Sequence, residues 1–411
     1  MDEAQVAEKD TQNESAAASA KNCILSTCAH SSRAILPDEG SVRVTVPSKT
    51  RKRMSKAARA GLNVEWNEYA APWFHADCWA LAVKHATTRM PKNSTLCISS
   101  ADKPLIAEVC ETAETYEALS SVRAKAKELA ALLRKSRHTV VFTGAGVSVA
   151  AGIPTYRGAD GIDVIEEYGG TLSRPAEAEG KKKTKGSKRK AAEAEVDPAI
   201  AHSDEYLRLQ PTLTHRFLSD QMKTGRVHYI ITQNCDDLHC RAGVPRERIA
   251  ELHGNVFIEF CEACGKEYRR PYCVDLFSTD CRKEKWFVEC PTCSFNHYTG
   301  RHCEALGCRG KLKDTIVNFG DQLHEKVLGG LGRAQDECRA ADVVLCLGSS
   351  LTVAPASKLP TLLRRGGTIV ICNPQTTVHD GRSALRIWAG CELLFGLVQA
   401  ELETTPDCSG P

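Results

Sequence analysis

Apolar positions along the chain fall into short β-branched runs, each closed by small or polar residues. Thr139 to Phe142 is one such run and Val227 to Ile231 another; Asp342 to Leu347 and Gly367 to Cys372 repeat the pattern. Short continuous apolar runs of this kind read as strands buried on both faces, which is how parallel sheets are written. Tyr116 to Lys135 has a different period, with Leu119, Val122, Leu129, Leu132 and Leu133 on one side, and predicts an amphipathic helix leading into the first strand. Strands alternating with helices imply an α/β domain with a mainly parallel, doubly wound sheet. The strand ends carry Gly144 and Gly146, Gln233, Asn234 and Asp236, Gly348 and Ser349, and Asn373. In such a sheet these ends share one edge and converge on one site.

Elsewhere the pattern fails. Residues 1–20 are rich in Ala, Glu and Ser without periodicity and read as disordered, residues 96–115 as a linker, and 401–411 as a tail. Residues 171–200 are low in apolar content and hold the basic run Lys181 to Lys190. Such a block cannot bury a core and is expected to be a disordered insertion, with nuclear import or nucleic-acid contact as its function and a solubilising loop as the plain alternative.

With 411 residues the chain has room for two or three domains. Its net charge of +3 conceals two basic clusters and several acidic blocks. The opening residues, Met1 to Gln5, lack an apolar signal core, and no run of 18 apolar residues suits a membrane span. Without such a signal, the 20 cysteines point to a reducing compartment, where they serve as metal ligands or buried thiols rather than as a disulfide framework.

Three groups of residues carry candidate chemistry. The first is Gly144-Ala145-Gly146-Val147-Ser148, directly after a strand and before a helix expected from Ser148 to about Gly152. Glycines there let the backbone approach a diphosphate whose charge meets free N–H groups. A lone Gly-x-Gly also fits a tight turn after a core strand. The following Ala151 to Gly158 is too rich in Gly and Pro to stay helical, so it is expected to loop over the ligand with Tyr156 and Arg157 as working side chains. The second is His253, in the polar turn Glu251-Leu252-His253-Gly254-Asn255. The third is cysteine. Cys261-x2-Cys264-Gly265 is half of a zinc knuckle; Cys290-x2-Cys293 and Cys303-x4-Cys308 compete for the other half, with Cys273 and Cys281 nearby. Near the start, Cys23-x4-Cys28 and His75-x2-Cys78 suit a tetrahedral Cys3His site.

The segment Pro72 to Trp79, with Cys23 and Cys28, loosely resembles the poly(ADP-ribose)-polymerase-type zinc finger over residues 21–95, a DNA-break-binding module; the first pair is spaced x4 where that family usually has x2. Lys49, Arg51, Lys52, Arg53, Lys56 and Arg59 between the pairs would then meet phosphates, or else form a solvated basic loop.

The larger resemblance rests on Gly144 to Ser148, Ala151 to Pro154, Tyr156 to Gly158, Thr232-Gln233-Asn234 with Asp236, Leu238-His239, His253 to Asn255, Asp314 to Gly320 and Gly348 to Ser350. Together, over residues 116–400, these resemble the sirtuin family, and Gln233 to Asp236, Glu251 to Asn255 and Asp314 to Val317 resemble its class IV, largely nuclear branch. The resemblance implies an NAD-dependent protein-lysine deacylase built from a Rossmann-like sheet and a small zinc-binding domain at 256–315. Carried over, Gly144, Ala145, Gly146 and Ser148 hold the diphosphate, Tyr156 and Arg157 cover the nicotinamide ribose, and Gln233, Asn234 and Asp236 grip the ribose and amide. His253 is the general base, a task suited to a group titrating near neutrality. Val317 and Phe319 line the acyl-lysine tunnel, the substrate backbone pairs near Asn318 to Asp321 including Gly320, and Gly348, Ser349 and Asn373 meet the adenosine half. Cys303 and Cys308 join Cys261 and Cys264 in a closed zinc site, and Cys290 and Cys293 are left to a further site with Cys273 and Cys281. Acylated proteins, histones among them, become the substrates, with DNA or chromatin as partner through the finger. Protein mono-ADP-ribosylation and a chromatin-binding scaffold are the alternatives. The chain departs from the family at Thr155, where Asp is usual, at Asp237, which replaces Gly, and at Asp163, which stands where an aromatic is common.

Overall fold

The computed structural model describes residues 38–43, 73–76, 79, 83, 113–155, 206–274 and 288–404. Three short strands, β1 (Ser41–Arg43), β2 (Trp73–His75) and β3 (Glu114–Tyr116), form an antiparallel sheet in the order β2-β1-β3. β3 begins inside the stretch read as a linker; three residues are too few to show a period of two.

Helix α1 (Leu119–Lys135) buries Val122, Ala126, Leu129, Ala130 and Leu133, a stripe at helical spacing. It is followed by β4 (Thr139–Thr143), α2 (Leu213–Lys223), β5 (Tyr229–Thr232), the single turn α3 (Leu238–Arg241) and β6 (Ile249–Glu251). A separate antiparallel sheet follows, made of β7 (Ile258–Cys261), β8 (Glu267–Arg269), β9 (Tyr298–His302) and β10 (Lys311–Asp314) in the order β8-β7-β10-β9. The chain then returns through α4 (Gly330–Ala340), β11 (Val343–Leu347), β12 (Thr368–Cys372), β13 (Leu385–Ile387) and α5 (Cys391–Thr404).

The main sheet is ordered β13-β12-β11-β4-β5-β6 and is parallel throughout. All five residues of β4 and of β11 are buried, as continuous apolar strands require. Strand order runs outward in one direction from β4 and in the other from β11, so the connections part between these two strands and leave a crevice at their carboxyl ends. The α/β, doubly wound expectation holds, with the small antiparallel domain attached. No helix among the described residues is long and apolar enough to cross a membrane.

One local expectation fails. After β4 there is no α-helix from Ser148 to Gly152, but two successive 3-10 turns, Ala145–Val147 and Val149–Ala151, closed by Gly152 at φ +92°. The residues between Gly144 and Pro154 are too few and too broken by glycine to repay α-helix nucleation.

Candidate functional site

The crevice is set by glycine contacts. The Gly144 N–H donates to Leu347 O at 3.0 Å and the Gly146 N–H to Gly348 O at 2.9 Å. A Cβ on Gly146 would lie 2.6 Å from Gly348 Cα, and one on Gly348, which sits at φ +56°, would lie 2.7 Å from Gly146. The ends of β4 and β11 can therefore touch only because both residues lack side chains. The N–H groups of Ala145 and Ser349 take no partner among the described residues and are left as anion donors beside this contact. Ser349 Oγ donates to Gln233 Oε1 at 2.8 Å, which ties the end of β11 to the end of β5.

Behind the glycines lies a buried polar lattice. Ser148 Oγ donates to Asp236 Oδ2 at 2.6 Å, while Asn234 Nδ2 donates to Ser148 Oγ at 3.1 Å and to Gly144 O at 3.2 Å. Asp236 Oδ1 accepts the Leu238 N–H at 3.0 Å. Burial pushes the Asp236 carboxyl above its ordinary range, opposed by the bonds from Ser148 and Leu238. Three side chains, Ser148 after β4 and Asn234 and Asp236 after β5, thus fix one another's rotamers. Asn373, after β12, is also buried, and its carbonyl accepts from Arg386 at 2.8 Å.

His253 occupies the turn after β6. Gly254 sits at φ +94°, and a Cβ there would lie 2.1 Å from Thr315 O. Only glycine lets this turn press on the chain after β10, where the Val317 N–H donates to His253 O at 3.0 Å. The imidazole is half-buried, with the Gln233 backbone nearby. Burial lowers its pKa below 6.5, with the Gln233 backbone opposing. A half-buried imidazole whose pKa is lowered is neutral near pH 7 and keeps one ring nitrogen as an acceptor.

Asp237, a departure from the family pattern, stands at φ +63°, the left-handed region that suits glycine. It is held there by Asn255 Nδ2, at 2.9 Å from its Oδ1, and by a paired Arg269. The carboxylate is fully buried and the guanidinium half-exposed. We expect Arg269→Ala to cost about 2 kcal/mol, because it strands a buried charge although the lost pair was partly solvated. Adding Asp237→Gly should return the urea midpoint to near wild type, since that removes both the charge and the strained backbone.

Val317 lies in the loop after β10, and Phe319 and Gly320 form the turn that ends it, where the Asp321 N–H donates to Asn318 O at 3.1 Å. Val317 is partly buried beside His253, whereas Phe319 is 85% exposed and is not packed into any wall. Gly320 sits at φ +100°, where a Cβ would meet Thr292 O at 2.8 Å. Tyr156, Arg157, Asp163, Cys23, Cys28, Cys78, Cys281 and the basic run lie outside the described residues. His75 is buried, with Nε2 3.3 Å from Glu39.

The cysteine question left open by spacing has a geometric answer. Cys261, Cys264, Cys303 and Cys308 converge, with Sγ separations of 3.7 Å for Cys261–Cys308 and 3.6 Å for Cys264–Cys303. Tetrahedral Zn–S bonds of about 2.3 Å place sulfurs about 3.8 Å apart, so the set fits a structural Zn2+. Gly310 is needed here: a Cβ would lie 2.5 Å from Cys261 Sγ. In the same sheet, burial pushes the Glu259 carboxyl up, but bonds from Arg301, Thr299 and Arg270 outweigh it and hold it below the usual range. The expectation that Cys273 joins Cys290 and Cys293 fails, because Cys273 is buried against Val256 and Phe257. The residues missed by the spacing argument are Arg269, which pairs Asp237, and His297 and Asp321, which stand beside Cys290 and Cys293. Cys293-x3-His297 was a readable signal; Asp321 and Arg269 are too distant in sequence to have one.

A model of the Sir2 family matches residues 144–355. The NAD-dependent protein deacetylase SRT1 of Oryza sativa subsp. indica is 36% identical over 275 residues, 67% of this chain and 47% of that protein. The NAD-dependent protein deacetylase sirtuin-7 of Rattus norvegicus is 35% identical over 309 residues, 72% of this chain and 62% of its own length. An NAD-dependent protein deacetylase of Sulfolobus acidocaldarius is 30% identical over 281 residues, 68% of this chain and 96% of its own. The chain spans about half the length of the SRT1 relative.

Proposed function

Since the chain belongs to the Sir2 family, we propose that it is an NAD-dependent protein-lysine deacylase whose site is the crevice between β4 and β11. The observation that carries this reading is the convergence of a glycine notch with free N–H groups, the Ser148–Asn234–Asp236 lattice and a neutral imidazole at one sheet edge. The notch fits a dinucleotide diphosphate, as it offers backbone donors and no Cβ. NAD supplies the cleavable bond between its ribose and nicotinamide. Gly144, Ala145, Gly146 and Ser148 would hold its diphosphate, with Tyr156 and Arg157 over the ribose. Gln233, Asn234 and Asp236 would orient the ribose, their rotamers already fixed by mutual hydrogen bonds. His253 would take a ribose hydroxyl proton on its unprotonated ring nitrogen. Gly348, Ser349 and Asn373 would meet the adenosine half. Val317, Phe319 and Gly320 would receive the acyl-lysine, with exposed Phe319 closing on it when it binds. Zn2+ at Cys261, Cys264, Cys303 and Cys308 would hold the small domain and leave no open position.

The same reading makes acylated proteins the substrates, with histones as candidates and the nucleus as the place of action. The basic run Lys181 to Lys190 and the finger-like Cys23, Cys28, His75 and Cys78 support DNA or chromatin contact and a further zinc.

Because burial lowers the His253 pKa, its base form persists below pH 6.5. We expect kcat/KM to be flat from pH 7 upward through this group and to show its acid limb only below about 6.5. A limb above 7 in a pH–rate profile would assign the base elsewhere. The reading itself is tested by nicotinamide release from NAD with and without an acetyl-lysine peptide. Release that requires the peptide and yields O-acetyl-ADP-ribose is expected; equal release without peptide, with label transferred to protein, would contradict it.

A further inference from the structure

We infer that Cys290, Cys293, His297 and Asp321 form a second metal site, suited to Zn2+ and separate from the four-cysteine centre. Their donor atoms all lie within 4.8 Å of one another. Cys293 Sγ is 3.2 Å from His297 Nε2, His297 Nε2 is 3.4 Å from Asp321 Oδ2, and Cys290 Sγ is 3.5 Å from Asp321 Oδ1. Tetrahedral Zn2+ with bonds of about 2.0–2.3 Å has ligand–ligand edges of about 3.3–3.8 Å. The four groups therefore already stand near coordinating distance.

The turn that carries the two cysteines repeats the zinc knuckle at Cys261. There, the Gly265 N–H donates to Cys261 O at 2.8 Å, the Cys261 N–H donates to Lys266 O at 2.9 Å, and Gly265 takes φ +74°. At the second turn the Ser294 N–H donates to Cys290 O at 2.9 Å, the Cys290 N–H donates to Phe295 O at 2.9 Å, and Ser294 takes φ +66°. Register, bond pattern and left-handed fifth residue all match. Serine is strained at such a φ, so something must hold the turn closed.

The remaining ligands are also prepared. His297 Nδ1 is held at 3.0 Å by Asp314 Oδ1, a buried carboxylate at the end of β10, which directs Nε2 toward the cysteines. A carboxylate behind the histidine is the usual outer partner of a metal-bound imidazole. Asp321 is oriented by the Thr292 hydroxyl at 2.6 Å and the Asn318 N–H at 3.0 Å. Two thiolates, one imidazole and one carboxylate form a borderline donor set that matches Zn2+ rather than Ca2+ or Mg2+. The metal would pin the knuckle to the loop bearing Val317 and Phe319; any effect on acyl-lysine binding rests on the proposed function, but metal content does not.

The test is zinc per chain in the full-length protein, by plasma mass spectrometry after dialysis against metal-free buffer. Cys290→Ser/Cys293→Ser should hold one equivalent less than wild type, and combining it with Cys264→Ser should remove a further equivalent. In the wild type, Cys290 and Cys293 should resist alkylation until a chelator is added. Asp321→Asn, which keeps the knuckle, should lose zinc at a chelator concentration lower by about tenfold or more, since even the outer partners of ligands are worth about 10–100-fold. Wild-type zinc content in the double cysteine variant, or alkylation of Cys290 and Cys293 indifferent to chelator, would overturn the site and leave a thiol–imidazole hydrogen-bond cluster. Should the double variant not fold, the Asp321→Asn titration decides, and a midpoint equal to wild type refutes the site.

Discussion

His253→Ala is expected to lower acyl-peptide-dependent nicotinamide release by about 10²–10⁴-fold, the usual worth of a positioned general base. The fold should be unaffected, because the bonds that place this turn use the His253 carbonyl, which accepts from Val317 and Cys235, and not the ring. The effect should fall on kcat, with the NAD dissociation constant changed little, since diphosphate binding is assigned to Gly144, Gly146 and Ser148. Single-turnover kinetics and calorimetric NAD titration separate the two. A variant that loses NAD affinity but keeps its single-turnover rate would make His253 a binding residue instead.

Cys264→Ser should have the largest effect on stability. Structural Zn2+ in small domains contributes apparent binding energies of about 10–16 kcal/mol, and that energy is folding energy. Cys264 is exposed, so serine disturbs no packing, and the effect reports the metal alone. Among the described residues, the cluster packed in the small sheet β7–β10 is Cys261, Tyr268, Cys303 and Leu312 with Ala305 and Cys308 against it, too little to stand unaided. Hydrogen exchange should show β7–β10 open while β4, β5, β11 and β12 stay protected. Because His253 and Val317 are bonded through the same turn, acyl-peptide turnover should fall as well. Full protection of β7–β10 in a zinc-depleted variant would refute a structural role.

Much of the fold was legible in the sequence because parallel strands are written as unbroken apolar runs. Thr139 to Phe142, Val227 to Ile231, Asp342 to Leu347 and Gly367 to Cys372 each became a strand of the main sheet, shifted by a residue or two. The strand-end residues were legible as a group for the same reason, since a parallel sheet gathers them on one edge. The conformation of the loop after β4 was not, because Gly-x-Gly signals a close approach without saying which backbone approaches; here it is Gly348. Spacing also could not choose among the cysteine pairs, since strand pairing sets the meeting of Cys261 with Cys308, and β10 against β7 is a long-range register. Asp237 read as an oddity in a glycine position, and its partner Arg269 becomes visible only when β8 is placed.

The most direct measurement is a crystal structure of the full chain soaked with NAD and an acetyl-lysine peptide. The account predicts the diphosphate against Gly144, Gly146 and Gly348, the peptide along Val317 to Asp321, and the His253 ring within about 3 Å of a ribose hydroxyl. A dinucleotide bound elsewhere, or an imidazole turned from the sugar in an occupied crevice, would contradict it.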